Sequence, residues 1–405
     1  MSSTSTQTLL VTQQSNGNHD QNGKEKSSIK KNLPTLEEIR AAVPAQCFEK
    51  NLKTSIFYFL LDYAIIAGLY VAVPYIERYF GFVGLLGWSS TVLVLGMYLS
   101  SLFIVGHDCG HGTFSEYIWV NDIFGHLAHA PILAPFWPWQ KSHRQHHQYT
   151  SNLDRDKGHP WTTEETWRNG DWLRRNFSKL PISGLFRWNP VYTLLGLPDG
   201  SHFNPFDRMF TNTTERVQCV VSSLACVLCA GIALRACDYS VLAFLKYYIV
   251  PVMFQGFLLV MITYLQHQDE EIEVYEDGTW SFVKGQSQTI DRYYGFGIDY
   301  AMHHITDGHV AHHFFFTKVP HYHLMEATKA IRSVLEQYPG TYKRRSCYHF
   351  LYEFLRLNLK LEYLIGQGTG LLKYNASKQH QKKSPKLLTQ KICYTRRLPD
   401  FLMFC

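Results

Sequence analysis

Four long apolar segments constrain this chain more than any other feature of its sequence. They cover about residues 55–76, 84–105, 217–234 and 242–265. A helix needs about 20 mostly apolar residues to cross the hydrocarbon core of a bilayer, and each segment approaches that length. The linkers within the first pair and within the second pair are short. The sequence therefore predicts an all-α integral membrane protein whose four transmembrane helices form two hairpins.

The polar remainder of the chain divides into two tails and a cap. Residues 1–33 are rich in Ser, Thr, Gln, Asn and Lys, a composition typical of a disordered tail. Residues 34–374 are expected to form the membrane domain, in which 107–216 and 266–374 build a helical cap outside the bilayer. Residues 375–405 are predicted to be a second tail.

A fifth apolar stretch, residues 121–139, is interrupted by Pro131, Pro135 and Pro138. Proline breaks the helix that a spanning segment needs. We therefore expect this stretch to lie in the membrane interface or to re-enter it without crossing. Both parts of the cap then lie on one side of the membrane.

Basic residues indicate which side that is. Lys and Arg accumulate in the tail and the cap, whereas the turns on the opposite side contain little beyond Arg78 and Arg235. By the positive-inside rule, the cap and both chain ends should be cytoplasmic. The formal net charge of +6 suits a surface that meets the cytosol and anionic lipid. Nothing in the basic residues resembles a nucleic-acid-binding module, so we expect no nucleic-acid partner.

Three clusters of histidines follow the apolar segments. They are His107 and His111, then His143, His146 and His147, and finally His309, His312 and His313. Spacings of three and four residues place each cluster on one face of a helix. Eight imidazoles are too many for one tetrahedral ion and enough for a site with two ions. His267 directly follows the fourth segment and is the predicted ninth ligand.

Other side chains near the clusters are candidates to orient the ligands. His303, His304, Asp108 and Asp307 are such candidates, although His303 and His304 are equally compatible with ligation or with a structural role. The Asp154/Asp156 pair either orients an imidazole N–H or is ordinary surface charge. Imidazole suits Zn, Cu, Fe and Ni, so the ligand type alone does not choose the metal.

The histidine clusters resemble the three histidine boxes of the membrane fatty-acyl desaturases. The resemblance extends from about residue 33 to about residue 374 and includes Pro320-His-Tyr-His-Leu-Met-Glu-Ala-Thr328. Residues 107–115 and 134–147 resemble the Δ12 members of the Δ12/ω-3 branch, particularly its nematode-type enzymes. His304 is less decisive, since many Δ12 enzymes have Asn at its position and ω-3 relatives can have His.

The resemblance implies a non-haem di-iron centre whose two iron ions are held by the eight boxed histidines and His267. Such a centre uses O2 and two electrons to place a cis double bond in a fatty acyl chain, here at Δ12, converting oleoyl to linoleoyl. The acyl carrier would be CoA or a phospholipid. The chain carries no flavin, nicotinamide or haem signature. The resemblance therefore implies cytochrome b5 and its NADH-dependent reductase as separate partners, at the endoplasmic reticulum membrane.

Three other functions share parts of this pattern. An ω-3 (Δ15-type) acyl desaturase would have the same boxes, and a di-iron fatty acyl hydroxylase could use a similar ligand set to insert oxygen. A membrane metal transporter is the non-enzymatic alternative. Transport sites usually lie near the middle of the bilayer on broken helices, whereas these histidines lie beyond the ends of the predicted spans.

Overall fold

The computed structural model describes residues 33–159 and 161–375, without the side chains of residues 79–86 and 90. Apart from Leu33 and Asn375, both predicted tails lie outside the described residues. Within this part of the chain the helices are α1 (Leu36–Ala42), α2 (Leu52–His111), α3 (Ile118–His129), α4 (Phe136–Tyr149), α5 (Glu164–Asn169), α6 (Trp172–Asn176), α7 (Gly184–Phe186), α8 (Thr213–Ala236), α9 (Val241–Phe244), α10 (Val250–His267), α11 (Phe282–Gln286), α12 (Ile298–Ala301), α13 (His309–Phe314), α14 (Leu324–Leu335) and α15 (Phe350–Lys360).

Four helical segments are long and apolar enough to cross a membrane. They are Leu52–Arg78, Gly87–His111, Thr213–Ala236 and Val241–His267. The prediction of a mostly helical protein with four spans is therefore confirmed. The second span is the most enclosed of the four, whereas the first and third expose most of their length. The second span therefore lies at the centre of the bundle, and the first and third present apolar surface that only lipid would cover.

The first two spans lie side by side although the backbone of α2 is helical from Leu52 to His111. The hydroxyl of Ser101 donates to the carboxylate of Asp62 at 2.9 Å. In one straight helix, the rise of about 1.5 Å per residue would separate these residues by roughly 58 Å. The chain must therefore reverse between the two spans, as the predicted hairpin requires.

The second hairpin is formed by α8 and by the continuous span Val241–His267. In that span a π-helical turn, Leu245–Ile249, connects α9 to α10. The two hairpins pack closely where α10 crosses α2 at Gly96. A Cβ atom at this glycine would lie 2.5 Å from the ring of Phe254. The absence of a side chain at Gly96 is what allows this approach.

The proline-containing stretch 121–139 does not form a span. Its residues belong to α3 and α4, which are separated by the short 3-10 helix Ala130–Ile132. α3 lies against α2, where a Cβ atom at Gly106 would lie 2.3 Å from the ring of His129. On its outer face Ile118, Trp119, Ile123 and Leu127 are exposed. Such an apolar face with an aromatic residue suits a helix lying in the membrane interface.

Two small sheets in the cap were not predicted by the all-α assignment. The strands are β1 (Glu273–Tyr275), β2 (Asp291–Tyr293), β3 (Arg344–Ser346), β4 (Leu364–Ile365) and β5 (Leu371–Tyr374). β5 pairs antiparallel with β1 on one side and β4 on the other, while β2 and β3 are parallel. The three-stranded sheet joins the last described strands to the segment that follows α10. A continuous core containing Ile39, Leu265, Val310 and Ile331 lies beneath them.

Candidate metal centre

Five imidazoles from three helices form one compact group, called here the five-histidine group. Its members are His107 and His111 in the last turn of α2, His143 and His147 in α4, and His312 in α13. Each offers a ring nitrogen, and these nitrogens all lie within 4.8 Å of one another. The Nε2 atoms of His107 and His111 are 3.2 Å apart. His147 Nε2 lies 3.0 Å from His143 Nε2 and 3.1 Å from His312 Nε2.

The remaining four predicted ligands form a second, adjoining group, called the four-histidine group. His146 comes from α4, His267 is the last residue of α10, and His309 and His313 come from α13. His267 Nε2 lies 3.2 Å from His146 Nε2 and 3.0 Å from His309 Nε2. A ring nitrogen of His313 lies within 4.8 Å of those of His146 and His267. The structure thus brings all nine predicted ligands together.

The two consecutive histidine pairs divide between the groups. His147 and His312 belong to the five-histidine group, whereas their neighbours His146 and His313 belong to the four-histidine group. Consecutive side chains on a helix point about 100° apart, so a His-His pair necessarily faces two sites. The ring centroids of His147 and His313 are 4.1 Å apart, which makes the two groups adjacent.

The spacing of the ring nitrogens fits a metal ion in each group. Two nitrogens at about 2.1 Å from one ion and at right angles would be about 3.0 Å apart. Five pairs of Nε2 atoms within the groups are separated by 3.0–3.2 Å. Lone pairs repel at this distance unless a proton or a cation lies between them. The arrangement is that of ligands converging on an ion.

Buried partners fix which nitrogen of two imidazoles faces the four-histidine group. His146 Nδ1 donates to Asp156 Oδ1 at 2.7 Å, and His313 Nδ1 donates to Gln286 Oε1 at 2.9 Å. A neutral imidazole that donates from Nδ1 carries its lone pair on Nε2. His313 Nε2 is buried and has no hydrogen-bond partner within the described residues. Such outer partners orient metal ligands in known sites.

The neutral form is favoured for five imidazoles of the centre that lie outside the spanning helices. Burial lowers the pKa of each well below the usual range, and the neighbouring imidazoles lower it further. These are His143, His147, His309, His312 and His313. A protonated imidazole cannot bind a metal ion, so this environment preserves the lone pairs that ligation requires.

Helix termini position the ligands. α2 ends directly after His111 because Gly112 adopts a left-handed conformation (φ +71°) and returns its N–H to the last turn. Glycine is the residue best suited to that conformation. At the start of α13, the backbone N–H of Val310 donates to the carboxylate of Asp291 at 2.8 Å. A carboxylate at this end also interacts favourably with the helix dipole.

Asp108, a predicted orienting residue, lies beside His107, whose buried Nδ1 has no hydrogen-bond partner within the described residues. Its Oδ1 lies 3.9 Å from Nδ1 of His107. Its Oδ2 accepts hydrogen bonds from Nδ1 and the backbone N–H of His321, at 2.8 and 2.9 Å. The carboxylate therefore lies between a predicted ligand and the segment that precedes α14. The two acidic residues of the Asp154/Asp156 pair differ in position. Asp156 is buried and hydrogen-bonded to His146, whereas Asp154 is exposed like an ordinary surface charge.

The other predicted orienting residues are placed differently. His304 and Asp307 pair with each other at 3.1 Å, and in the described part of the chain neither has a hydrogen bond or ring contact with the nine imidazoles. They therefore pair with each other rather than with a predicted ligand. The backbone is left-handed at both His303 and His304, with φ +48° and +60°.

His303 belongs to a buried polar cluster of the first hairpin. Its Nε2 lies 2.9 Å from a carboxylate oxygen of Asp62 and 2.9 Å from the hydroxyl of Ser101. It reaches the metal centre only indirectly, since its ring centroid is 4.6 Å from that of His321, the partner of Asp108. His303 therefore hydrogen-bonds within the first hairpin and not to any of the nine imidazoles among the described residues.

Several residues of the centre were missed by sequence reasoning. Gln286 orients His313 and also donates to the backbone carbonyl of His147 at 2.8 Å. His321 was not singled out, and neither was Asp62. No spacing rule identifies them, because each lies on a segment distant from the histidine that it serves.

Comparison with known proteins identifies the family. A family model described as fatty acid desaturase matches residues 84–376. The chain is 58% identical over 347 residues to a Delta(12) fatty acid desaturase, fat-2, of Caenorhabditis elegans, covering 85% of this chain and 92% of the relative. The chain belongs to the fatty acid desaturase family. The resemblance seen in the histidine boxes is therefore confirmed.

Two other desaturases show how far the similarity reaches. The omega-3 fatty acid desaturase fat-1 of Caenorhabditis elegans is 48% identical over 356 residues, covering 87% of both chains. A Delta(12)-acyl-lipid-desaturase of Punica granatum is 34% identical over 319 residues, covering 75% of this chain and 81% of that one. The matches are to membrane desaturases of both regioselectivities, as the histidine boxes alone would allow.

Proposed function

We propose that this desaturase introduces a cis double bond at Δ12 of a monounsaturated acyl chain, converting oleoyl to linoleoyl. The single observation that carries the chemistry is the convergence of nine imidazoles into two adjoining groups. The similarity to a Delta(12) desaturase over most of both chains supports the position of the new bond. In the balanced reaction, O2, two electrons and two protons convert two adjacent methylenes into a cis double bond and two waters.

We infer that two iron ions occupy the groups, one held by the five-histidine group and one by the four-histidine group. When bound, they supply the oxidising power that acid–base side chains lack, because an unactivated C–H bond resists acid–base chemistry. The donor set fits iron, since imidazole ligands suit it. The choice of iron over other imidazole-binding metals rests on the family resemblance.

The contribution of the chain is to hold and shield the centre. Asp156 and Gln286 fix the ring orientations of His146 and His313, so that ligand lone pairs point inward before an ion arrives. The imidazoles of His147 and His313 are fully buried, which excludes bulk water from the reacting region. Exclusion of water protects a strong oxidant from side reactions.

The remaining partners follow from the proposed reaction. The electrons would come from cytochrome b5 and its NADH-dependent reductase, and the substrate would be a fatty acyl group on CoA or phospholipid. The distribution of Lys and Arg supports a cytoplasmic cap, and the endoplasmic reticulum is the proposed membrane. In sealed microsomes, a tag on the C-terminus should be digested by added protease. Protection of the tag would contradict this orientation.

Expression in yeast followed by fatty-acid analysis tests the reaction. Linoleate formed from endogenous oleate is the expected product. His146→Ala should abolish it because it removes a member of the four-histidine group. His349→Ala is the matched control, since this histidine is exposed on the cap and should leave the product unchanged. Full activity of the His146 variant would overturn the metal assignment.

The same experiment distinguishes Δ12 activity from ω-3 activity, an alternative supported by the 48% identity to an omega-3 desaturase. If product forms only when linoleate is fed, the enzyme acts at the ω-3 position and the Δ12 assignment is wrong. A hydroxylated acyl chain in place of a new double bond would instead identify a hydroxylase.

A further inference from the structure

A third set of metal-binding side chains lies outside the nine imidazoles. It consists of Cys47, His323 and Glu326, whose Sγ, imidazole nitrogen and carboxylate oxygen lie within 4.8 Å of one another. Cys47 belongs to the 3-10 helix Ala45–Phe48 that follows α1. His323 directly precedes α14, and Glu326 is in its first turn. The set therefore joins two segments from opposite ends of the domain.

Contacts around the set hold these two segments together without an ion. Gln46 Nε2 donates to Glu326 Oε1 at 2.7 Å. The backbone N–H of Asn51 donates to the hydroxyl of Tyr322 at 2.7 Å. Beside them the ring of Phe48 packs edge-on against that of Phe315, with centroids 5.4 Å apart. The three donor atoms are therefore preorganised, which reduces the entropic cost of binding.

The set is open on one side. Cys47 is fully buried, His323 is half-buried and Glu326 is exposed. The ring nitrogens of His323 make no hydrogen bond to any residue that the structure describes. The imidazole and the carboxylate therefore reach the solvent side, from which water can complete the coordination of an ion.

We propose that Cys47, His323 and Glu326 bind a Zn²⁺ ion. Thiolate, imidazole and carboxylate together are a donor set typical of zinc, and three protein ligands with one water complete a tetrahedron. Magnesium and calcium prefer oxygen ligands alone, and the thiolate distinguishes this set from the imidazole-only groups. The bound ion cross-links the segment after α1 to the start of α14. That helix follows His321, the partner of Asp108.

Binding exchanges a proton for the ion. In the metal-free protein, burial and the adjacent Glu326 raise the pKa of the Cys47 thiol to about 11. The thiol therefore gives up its proton when zinc binds, forming a zinc–sulfur bond and releasing one H⁺ to solvent. Zinc affinity should consequently rise by about tenfold per pH unit across the neutral range.

Cobalt substitution tests the site in the purified, iron-loaded enzyme. Co²⁺ bound to a thiolate gives a sulfur-to-cobalt charge-transfer band in the near ultraviolet, which imidazole ligands do not produce. We expect this band to saturate with one equivalent of Co²⁺ and to disappear when Zn²⁺ is added. Cys47→Ser should abolish the band. Glu326→Gln should weaken Co²⁺ binding by at least about tenfold.

The matched control is Cys226→Ser, which removes another buried cysteine and should keep the band. Absence of the band in the unaltered enzyme, or its persistence in the Cys47 variant, overturns the proposal. If the Cys47 variant does not fold, the Glu326 variant decides, because its exposed side chain is not needed for packing. Unchanged Co²⁺ affinity in that variant would then refute the site. The outcome is independent of the desaturation reaction, since the band reports only the thiolate.

Discussion

Replacing Asp156 by Asn should weaken metal binding in the four-histidine group alone. The Asp156 side chain is fully buried and does not belong to either imidazole group. Its Oδ1 accepts a hydrogen bond from His146 Nδ1 at 2.7 Å, and its Oδ2 accepts one from the backbone N–H of Ser151 at 3.0 Å. The substitution preserves the size of the side chain and removes one acceptor.

The expected loss of metal affinity follows from the number of hydrogen-bond acceptors that the side chain retains. An amide has a single acceptor oxygen, so either His146 or Ser151 must face an NH₂ group. A buried donor left without its partner costs about 1–3 kcal/mol. Loss of an outer partner of a metal ligand typically lowers affinity about 10–100-fold, which corresponds to about 1.4–2.7 kcal/mol. The free-energy cost of the unpaired donor and the expected loss of metal affinity are therefore similar in size. The ion that binds less tightly should be the one beside His146.

The assay is retained metal per chain, measured by mass spectrometry after dialysis against increasing chelator. Asp156→Asn should lose one ion at a chelator concentration about 10–100-fold lower than the unaltered enzyme and keep the other. Asp154→Asn is the matched control, because Asp154 is exposed two residues away. Equal retention by the two variants would refute the reasoning, and simultaneous loss of both ions would indicate a general loss of structure.

Three further perturbations test the packing and electrostatics of the fold. Burial lowers the pKa of Lys343 to about 8 from 10.5, so between these pH values the unfolded state binds more protons. The free energy of unfolding should therefore rise with pH in that window, by up to about 3 kcal/mol, and denaturant titrations of Lys343→Met should lack this rise. Gly106→Ala should destabilise the protein by about 1–3 kcal/mol because of its close ring contact. Gly68→Ala in the same helix meets no atom within 4 Å and should leave the melting temperature unchanged or raise it. Asp62→Ala or His303→Ala alone should cost about 3–5 kcal/mol, and the double variant should cost less than their sum. A coupling energy of zero would show that the pair does not interact.

The sequence predicted the features that depend on local geometry. Helical spacing alone placed each histidine cluster on one face, and apolar length alone located the four spans. The division of His146 and His147 between two groups was not predicted, although it follows from helix geometry, because consecutive residues point in different directions. These features needed no knowledge of how distant segments meet.

The features that were missed depend on tertiary contacts. Gln286 contacts His313 although 27 residues separate them in sequence, and Asp62 contacts His303 from the other end of the domain. Strands of two to four residues carry too little periodicity to be recognised, since their pairing is decided by long-range packing. His304 is close to His309 in sequence, but its imidazole pairs with Asp307 and not with a predicted ligand.

Two helices that cross the bilayer also end in imidazoles of the metal centre. α2 ends in His107 and His111, and the span containing α10 ends in His267. Spanning helices tilt to match the thickness of the hydrocarbon core. A helix about 40 Å long that pivots at its middle moves its end by about 0.3 Å per degree of tilt. Metal ligands tolerate displacements of only about 0.2 Å. The tilt of these spans, which depends on the thickness of the surrounding bilayer, therefore changes the positions of the predicted ligands at their ends.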